Sequence, residues 1–124
     1  MSVFDFFGIS DKSADFEWNK LRDVSQLDSI SQDSFEKPQL IFKHSTRCVI
    51  SRFSLKQFEK NFKSAEEITP YFLDLLQHRD VSNEIANRFE VIHQSPQLLL
   101  IKEGKCIFEA SHDAIDASIL ASVL

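Results

Sequence analysis

Cys48 is the residue in this chain best placed to do chemistry. It lies in Phe42-Lys43-His44-Ser45-Thr46-Arg47-Cys48-Val49-Ile50-Ser51-Arg52, where an apolar run ends and a helical pattern begins. A thiol at a helix N-terminus feels the positive end of the macrodipole and the unpaired N–H groups of the first turn, which favour thiolate over thiol. The local charge agrees. No Asp or Glu occurs from Lys37 to Phe58, while Lys37, Lys43, Arg47, Arg52 and Lys56 all do, in a chain whose net charge is −5. A cysteine can also be no more than a small apolar residue at a helix start; the basic surroundings favour a nucleophile.

Ser51 defines what kind of nucleophile. Cys48-Val49-Ile50-Ser51 has the Cys-x-x-Cys spacing with the second thiol replaced by a hydroxyl. Position 51 is one helical turn on, on the same face as Cys48. A thiol there would attack a mixed disulfide on Cys48 and release it. Ser51 can only donate a hydrogen bond to the sulfur, so the chemistry stops at one exchange and a separate thiol must complete the cycle. Cys106 is not that thiol. In a symmetric hairpin about Glu103-Gly104 it faces Ile101, ~16 Å along the strand from Ser111 at ~3.3 Å per residue, beyond the roughly 7 Å Cα limit for a disulfide. Its alternation with Phe108 and Ala110 reads as core. His44, His93 and His112 are each candidate bases, His112 the least remote of them, but none has triad spacing and a surface position is the default for a histidine. The two cysteines and four histidines show no zinc spacing, so no metal is expected.

The elements that must position these groups follow from the apolar pattern. Phe16, Trp18 and Leu21 suggest a first strand. Asp23 or Ser25 caps a helix carrying Leu27, Ile30 and Phe35, and Lys37-Pro38 ends it. Leu40-Ile41-Phe42 is an unbroken run, as in a strand covered on both faces. The helix after Cys48 places Ile50, Phe53, Leu55, Phe58 and Phe62 inward. Pro70 opens a strand through Leu76, Asp80-Val81-Ser82-Asn83-Glu84 starts a helix with Ile85, Ala86 and Phe89 inward, and Leu98–Ile101 is a buried strand. Glu103-Gly104 turns it into a hairpin with Cys106–Ala110. Asp113 begins a last helix with Ile115, Ile119, Leu120 and Val123 inward. Ser95-Pro96 directly precedes the buried strand, where a cis bond would turn the chain tightly and expose the Ser95 backbone. The symmetric register puts Pro96 opposite Ser111. The order β-α-β-α-β-α-β-β-α predicts an α/β fold, a mixed four- to five-stranded sheet with helices on both faces. Residues 1–13, with Phe4, Phe6 and Phe7, read as an arm able to dock on its own domain or on a partner, and residues 14–124 as the domain.

Composition sets bounds on function. A chain of 124 residues with 43% hydrophobic content buries the core of one domain. An acidic chain is not expected to bind nucleic acid. No apolar stretch is long enough for a membrane span, and the N-terminal segment lacks the basic n-region of a signal peptide. Two cysteines without an export signal point to a reducing cytoplasm.

With these residues in hand, the chain resembles the thioredoxin superfamily and, within it, the bacillithiol-system family called YtxJ, the monothiol bacilliredoxins of bacteria. The likeness is carried by Phe42 to Ser51, Arg79-Asp80-Val81-Ser82-Asn83-Glu84-Ile85-Ala86, Ser95-Pro96-Gln97, Ile101-Lys102-Glu103-Gly104-Lys105-Cys106 and Ala110-Ser111-His112, from about Glu17 to the C-terminus. The family pattern reads Thr-Cys-Pro-Ile-Ser or close to it; here Arg47 precedes the cysteine and Val49 stands at the place of proline. The resemblance implies a thioredoxin-like three-layer α/β/α sandwich and removal of bacillithiol, as co-substrate, from S-thiolated client proteins. Cys48 would attack and Ser51 would assist. Thr46, Arg47, Lys43, Ser95 and Pro96 would meet the substrate, the basic groups and Arg52 pairing with bacillithiol carboxylates. Another thiol or a reductase would regenerate Cys48, and no resident cofactor is implied. A catalytically silent thioredoxin-fold adaptor, binding peptides along the Ser95-Pro96 edge by strand addition, is the competing possibility.

Overall fold

The computed structural model describes residues 16–124; the expected arm over residues 1–13 lies outside them. The elements are β1 (Asn19–Lys20), α1 (Ser25–Asp33), β2 (Gln39–His44), α2 (Val49–Asn61), β3 (Thr69–Asp74), α3 (Arg79–Phe89), β4 (Gln97–Lys102), β5 (Lys105–Ser111), 3-10 turns at His112–Ala114 and Ala117–Ile119, and α4 (Leu120–Val123). They form one five-stranded sheet in the order β1-β3-β2-β4-β5. β1, β3 and β2 are parallel, while β4 runs antiparallel to β2 and β5 antiparallel to β4.

β2 is central, and every residue of it is buried. Its period of two sends alternate side chains into two separate cores. Ile41 joins Leu27, Ile30, Val81, Ile85 and Leu99 under α1 and α3. Leu40 and Phe42 join Phe58, Leu98, Leu100 and Leu120 under α2 and the C-terminal segment. The expected helices on both faces of a mixed sheet are therefore present. No described helix is long and apolar enough to cross a membrane.

Three local expectations are corrected. In α2, Ile50 and Phe53 are 59% and 64% exposed, and the buried positions are Ser51, Ser54 and Phe58. The helix is phased by Phe58, which stacks on Phe62 at 5.1 Å and meets Phe42 at 5.5 Å; small serines then fit the close approach to the sheet. In the hairpin, the register shifts between Leu100 and Ile101, so Gln97 lies opposite Ser111. His112 N–H donates to Pro96 O at 3.1 Å, one step beyond. That bulge also separates Cys106, packed against the α1/α3 core, from Phe108, packed on the α2 side. The continuous last helix is instead two 3-10 turns and a short α4. Asp116 Oδ1 accepts from Ser118 N–H and Oγ–H there, a local bond that competes with the helical ladder.

The hairpin turn itself has the anticipated form. Glu103 and Gly104 have φ of +53° and +78°, as a two-residue type I′ turn requires. Ser34, just after α1, holds the turn down by accepting from Glu103 N–H at 3.0 Å and Gly104 N–H at 2.8 Å.

Candidate active site

Cys48 stands at the N-cap of α2 with extended backbone, φ −103° and ψ 121°, and its side chain makes no capping bond. The chain reaches it through a tight turn closed by Cys48 N–H donating to Ser45 O at 3.2 Å. The thiol is half-buried and free. The first turn of α2 holds no acidic residue, so no carboxylate of that turn competes with the sulfur for the positive helix end.

Thr46 and Arg47 are exposed on the turn. Arg52 is exposed on α2, and its Nη1 donates to Thr46 O at 3.2 Å. These guanidinium groups form the basic rim of the site. Lys43 does not belong to that rim. It is 0% exposed, and its amine donates to His93 Nδ1 at 3.1 Å and to Ser82 O at 3.5 Å. Adjacent strand residues face opposite layers, so Lys43 enters the α3 side while His44 enters the α2 side. The expected pairing of Lys43 with substrate carboxylates is thus unavailable, because its ammonium does not reach solvent. Burial pushes its pKa down from 10.5 to about 8.

Ser95-Pro96 carries a cis peptide bond. The β2–β4 ladder pairs Lys43 with Gln97, which sets Pro96 at the same sheet end as His44 and the start of α2. Pro96 is buried, and Ser95 Oγ is buried without a hydrogen-bond partner. The loop before it is held by Gln97, whose Nε2 donates to Ile92 O at 3.0 Å and Glu109 Oε1 at 3.1 Å, and by Lys43 through His93.

Ser51 is fully buried at the third position of α2. Its Oγ accepts from Ser45 N–H at 3.1 Å and lies 2.8 Å from His44 Nδ1. His44 is itself 4% exposed, its ring 5.4 Å from that of Phe72. Burial lowers its pKa below the usual imidazole range; Asp74 pulls it up and Arg52 pushes it down further. His44 is the histidine tied to the candidate machinery. His93 is bonded to Lys43, and its pKa is likewise lowered, by burial and by the charges of Lys43 and Arg79. His112, at φ +55°, lines a groove of about 540 Å³ beside Ile50 and Phe53. No motif spacing marked His44; its place at the buried end of β2, seven residues before Ser51, was the available signal.

Cys106 pairs with Ile101 at the far end of the hairpin. Its thiol donates to Phe108 O at 3.3 Å, and burial raises its pKa. Five residues at ~3.3 Å each separate it from Ser111 at the Cys48 end.

The arrangement has known counterparts. The family of the monothiol bacilliredoxin BrxC matches residues 19–120. The chain belongs to the monothiol bacilliredoxin family. A solved protein described as a candidate oxidoreductase with a thioredoxin fold is 33% identical, with a TM-score of 0.71 over 85% of this chain and 91% of its own. The thioredoxin of Malassezia sympodialis is 18% identical, with a TM-score of 0.67 over 86% of this chain and 88% of its own. Mitochondrial thioredoxin 3 of Saccharomyces cerevisiae is 14% identical, with a TM-score of 0.63 over 85% and 91%. The last two share the fold, and this bacilliredoxin has it: a thioredoxin-fold protein of thiol–disulfide redox function.

Proposed function

We propose that this bacilliredoxin removes bacillithiol from S-thiolated client proteins by a single thiol–disulfide exchange at Cys48. The observation that carries the proposal is a half-exposed, uncapped thiol at the N-terminus of α2, with a hydroxyl at position 51 and the other cysteine at the far end of the hairpin.

The Cys48 thiolate attacks the bacillithiol sulfur of a client mixed disulfide. A Cys48–bacillithiol disulfide forms as the client–bacillithiol bond breaks, and the client sulfur leaves as thiolate and takes a proton from water. No net oxidation occurs. A second small thiol or a reductase then supplies the electrons that free Cys48. Arg47 and Arg52 meet the carboxylates of bacillithiol. The Ser95-Pro96 segment, at the same sheet end, receives the client backbone, and Thr46 borders the same opening. The exchange belongs to a reducing cytoplasm, where a free thiol persists.

Incubation with a client carrying the bacillithiol adduct, followed by intact-mass measurement, tests this. Bacillithiol should appear on Cys48 and not on Cys106, with the client released reduced. Cys48→Ala should abolish transfer, and Cys106→Ser should leave it within about two-fold. Transfer that survives in Cys48→Ala refutes the mechanism. Equal rates for glutathione and bacillithiol adducts retain the exchange and remove bacillithiol as the preferred thiol.

A further inference from the structure

His44 and Ser51 form a buried pair behind Cys48, and their hydrogen atoms can be accounted for. Ser51 Oγ carries one proton and two lone pairs. Ser45 N–H donates into one lone pair. His44 Nδ1, 2.8 Å away, then has two options. If Nδ1 is bare, it accepts the hydroxyl proton and holds it away from the thiol. If Nδ1 carries hydrogen, it fills the second lone pair and the hydroxyl proton must turn elsewhere. Ser51 is 0% exposed, which shuts out bulk water, and Cys48 is the N-cap three residues before it, one helical turn back.

The structure favours the bare nitrogen. The Ser51 Oγ bonds go to His44 and Ser45, and Cys48 makes no capping bond. A neutral His44 with hydrogen on Nδ1 would leave the buried hydroxyl proton only the weakly accepting Cys48 sulfur in place of an imidazole nitrogen, the poorer of the two bonds. The imidazolium is disfavoured by burial and by Arg52 of α2, with Asp74 of β3 and a hydrogen bond to the Ser51 backbone opposing them and the apolar ring of Phe72 alongside.

We propose that His44 is a positioning residue that restrains the nucleophile: neutral, it holds the Ser51 hydroxyl off Cys48; protonated, it releases that hydroxyl to the sulfur. Donation to the sulfur favours thiolate over thiol, so the pair sustains the reactive form of Cys48 on acidification. This rests on Cys48 being the attacking thiol and adds a residue that controls it.

Alkylation of Cys48 by iodoacetamide, read by intact mass in a Cys106→Ser background, tests the restraint. On the rising limb of the rate–pH profile, where thiolate fraction limits the rate, His44→Phe should be about five-fold faster than the parent. Lower on the limb, where His44 is protonated, that gap should close to less than about two-fold, and Ser51→Ala should be about five-fold slower than the parent. With Ser51→Ala present, His44→Phe should change the rate by less than about two-fold at any pH. An undiminished His44→Phe effect in the Ser51→Ala background, or no acceleration at all, overturns the proposal. If these variants do not fold, long-range proton–nitrogen NMR of the parent imidazole decides. Hydrogen on Nε2 of neutral His44 is expected, and hydrogen on Nδ1 overturns it. Iodoacetamide needs neither bacillithiol nor client. Failed thiol transfer with the expected alkylation pattern therefore removes the substrate assignment alone, and the converse removes the role of His44 alone.

Discussion

Lys43→Met removes a charge that the fold holds at a cost. The ammonium lies between the sheet and α3 with Lys43 0% exposed, and among the described residues no carboxylate pairs with it. Burial lowers its pKa from 10.5 to about 8, which at about 1.4 kcal/mol per tenfold change is a differential of roughly 3 kcal/mol. The sign follows from proton binding. Below the folded-state value of about 8 both states are charged and the penalty is fully present. As pH rises from about 8 toward 10.5 the unfolded chain binds more protons than the folded one, so stability increases across that window. Methionine keeps the length and loses the charge. It also forfeits the bonds to His93 and Ser82 O, each worth about 1 kcal/mol, but exposed His93 can turn to water. Lys43→Met should therefore be more stable than the parent by about 1–2 kcal/mol near pH 7, with the difference gone by about pH 10. Urea unfolding across this pH range measures it, provided the slope with denaturant is unchanged. A variant less stable than the parent near neutral pH, or a parent whose stability does not rise relative to the variant above pH ~8, would refute the reasoning.

Two further outcomes follow from the same geometry. Ser51→Cys places a second thiol one turn from Cys48; in a Cys106→Ser background the oxidised protein should lose both free thiols by mass, and retention of both contradicts the assumed approach of the N-cap and third positions. Phe58→Ala empties a site that is 1% exposed and touched by Phe42, Trp18 and Phe62. It should cost about 3–5 kcal/mol in urea unfolding followed by Trp18 fluorescence, and a loss below ~1 kcal/mol would show that Phe58 does not anchor α2.

The sheet was legible in the sequence because buried strands leave unbroken apolar runs, as at Leu40-Ile41-Phe42 and Leu98–Ile101, and because Glu103-Gly104 suits a tight turn. The bulge near Ile107 was not. One inserted residue changes register and face without any compositional mark, which is why Cys106 was assigned to the side of Phe108. The phase of α2 is hidden in the sequence for a related reason. Two stripes overlap on that helix, one through Ile50 and Phe53 and one through Ser51, Ser54 and Phe58. Apolarity alone selects the first, whereas close approach to the sheet selects the second. Of the candidate site, Cys48, Ser51 and Ser95-Pro96 declared themselves through spacing and a proline before a buried strand. Lys43 reads from sequence as a surface cation because local charge says nothing about which layer a strand residue enters. His44 carried no motif, and its bond to Ser51 exists only once β2 and α2 are docked.

The last two residues of β2 divide the support of the site between them. Strand alternation sends His44 toward α2, where it grips Ser51 behind the thiol, and Lys43 toward α3, where it grips His93 in the loop leading to cis-Pro96. The same alternation explains why neither residue is exposed although both flank the site in sequence. What remains on the surface around Cys48 is then of two kinds. Arg47 and Arg52 are exposed and basic, while Val49, Ile50 and Phe53 are apolar and 69%, 59% and 64% exposed. Under the proposed function, a thiol that moves a small anionic group off a protein must meet both a charged ligand and a polypeptide. The burial of Ser51 in place of Ile50 is what leaves the apolar part of that surface uncovered.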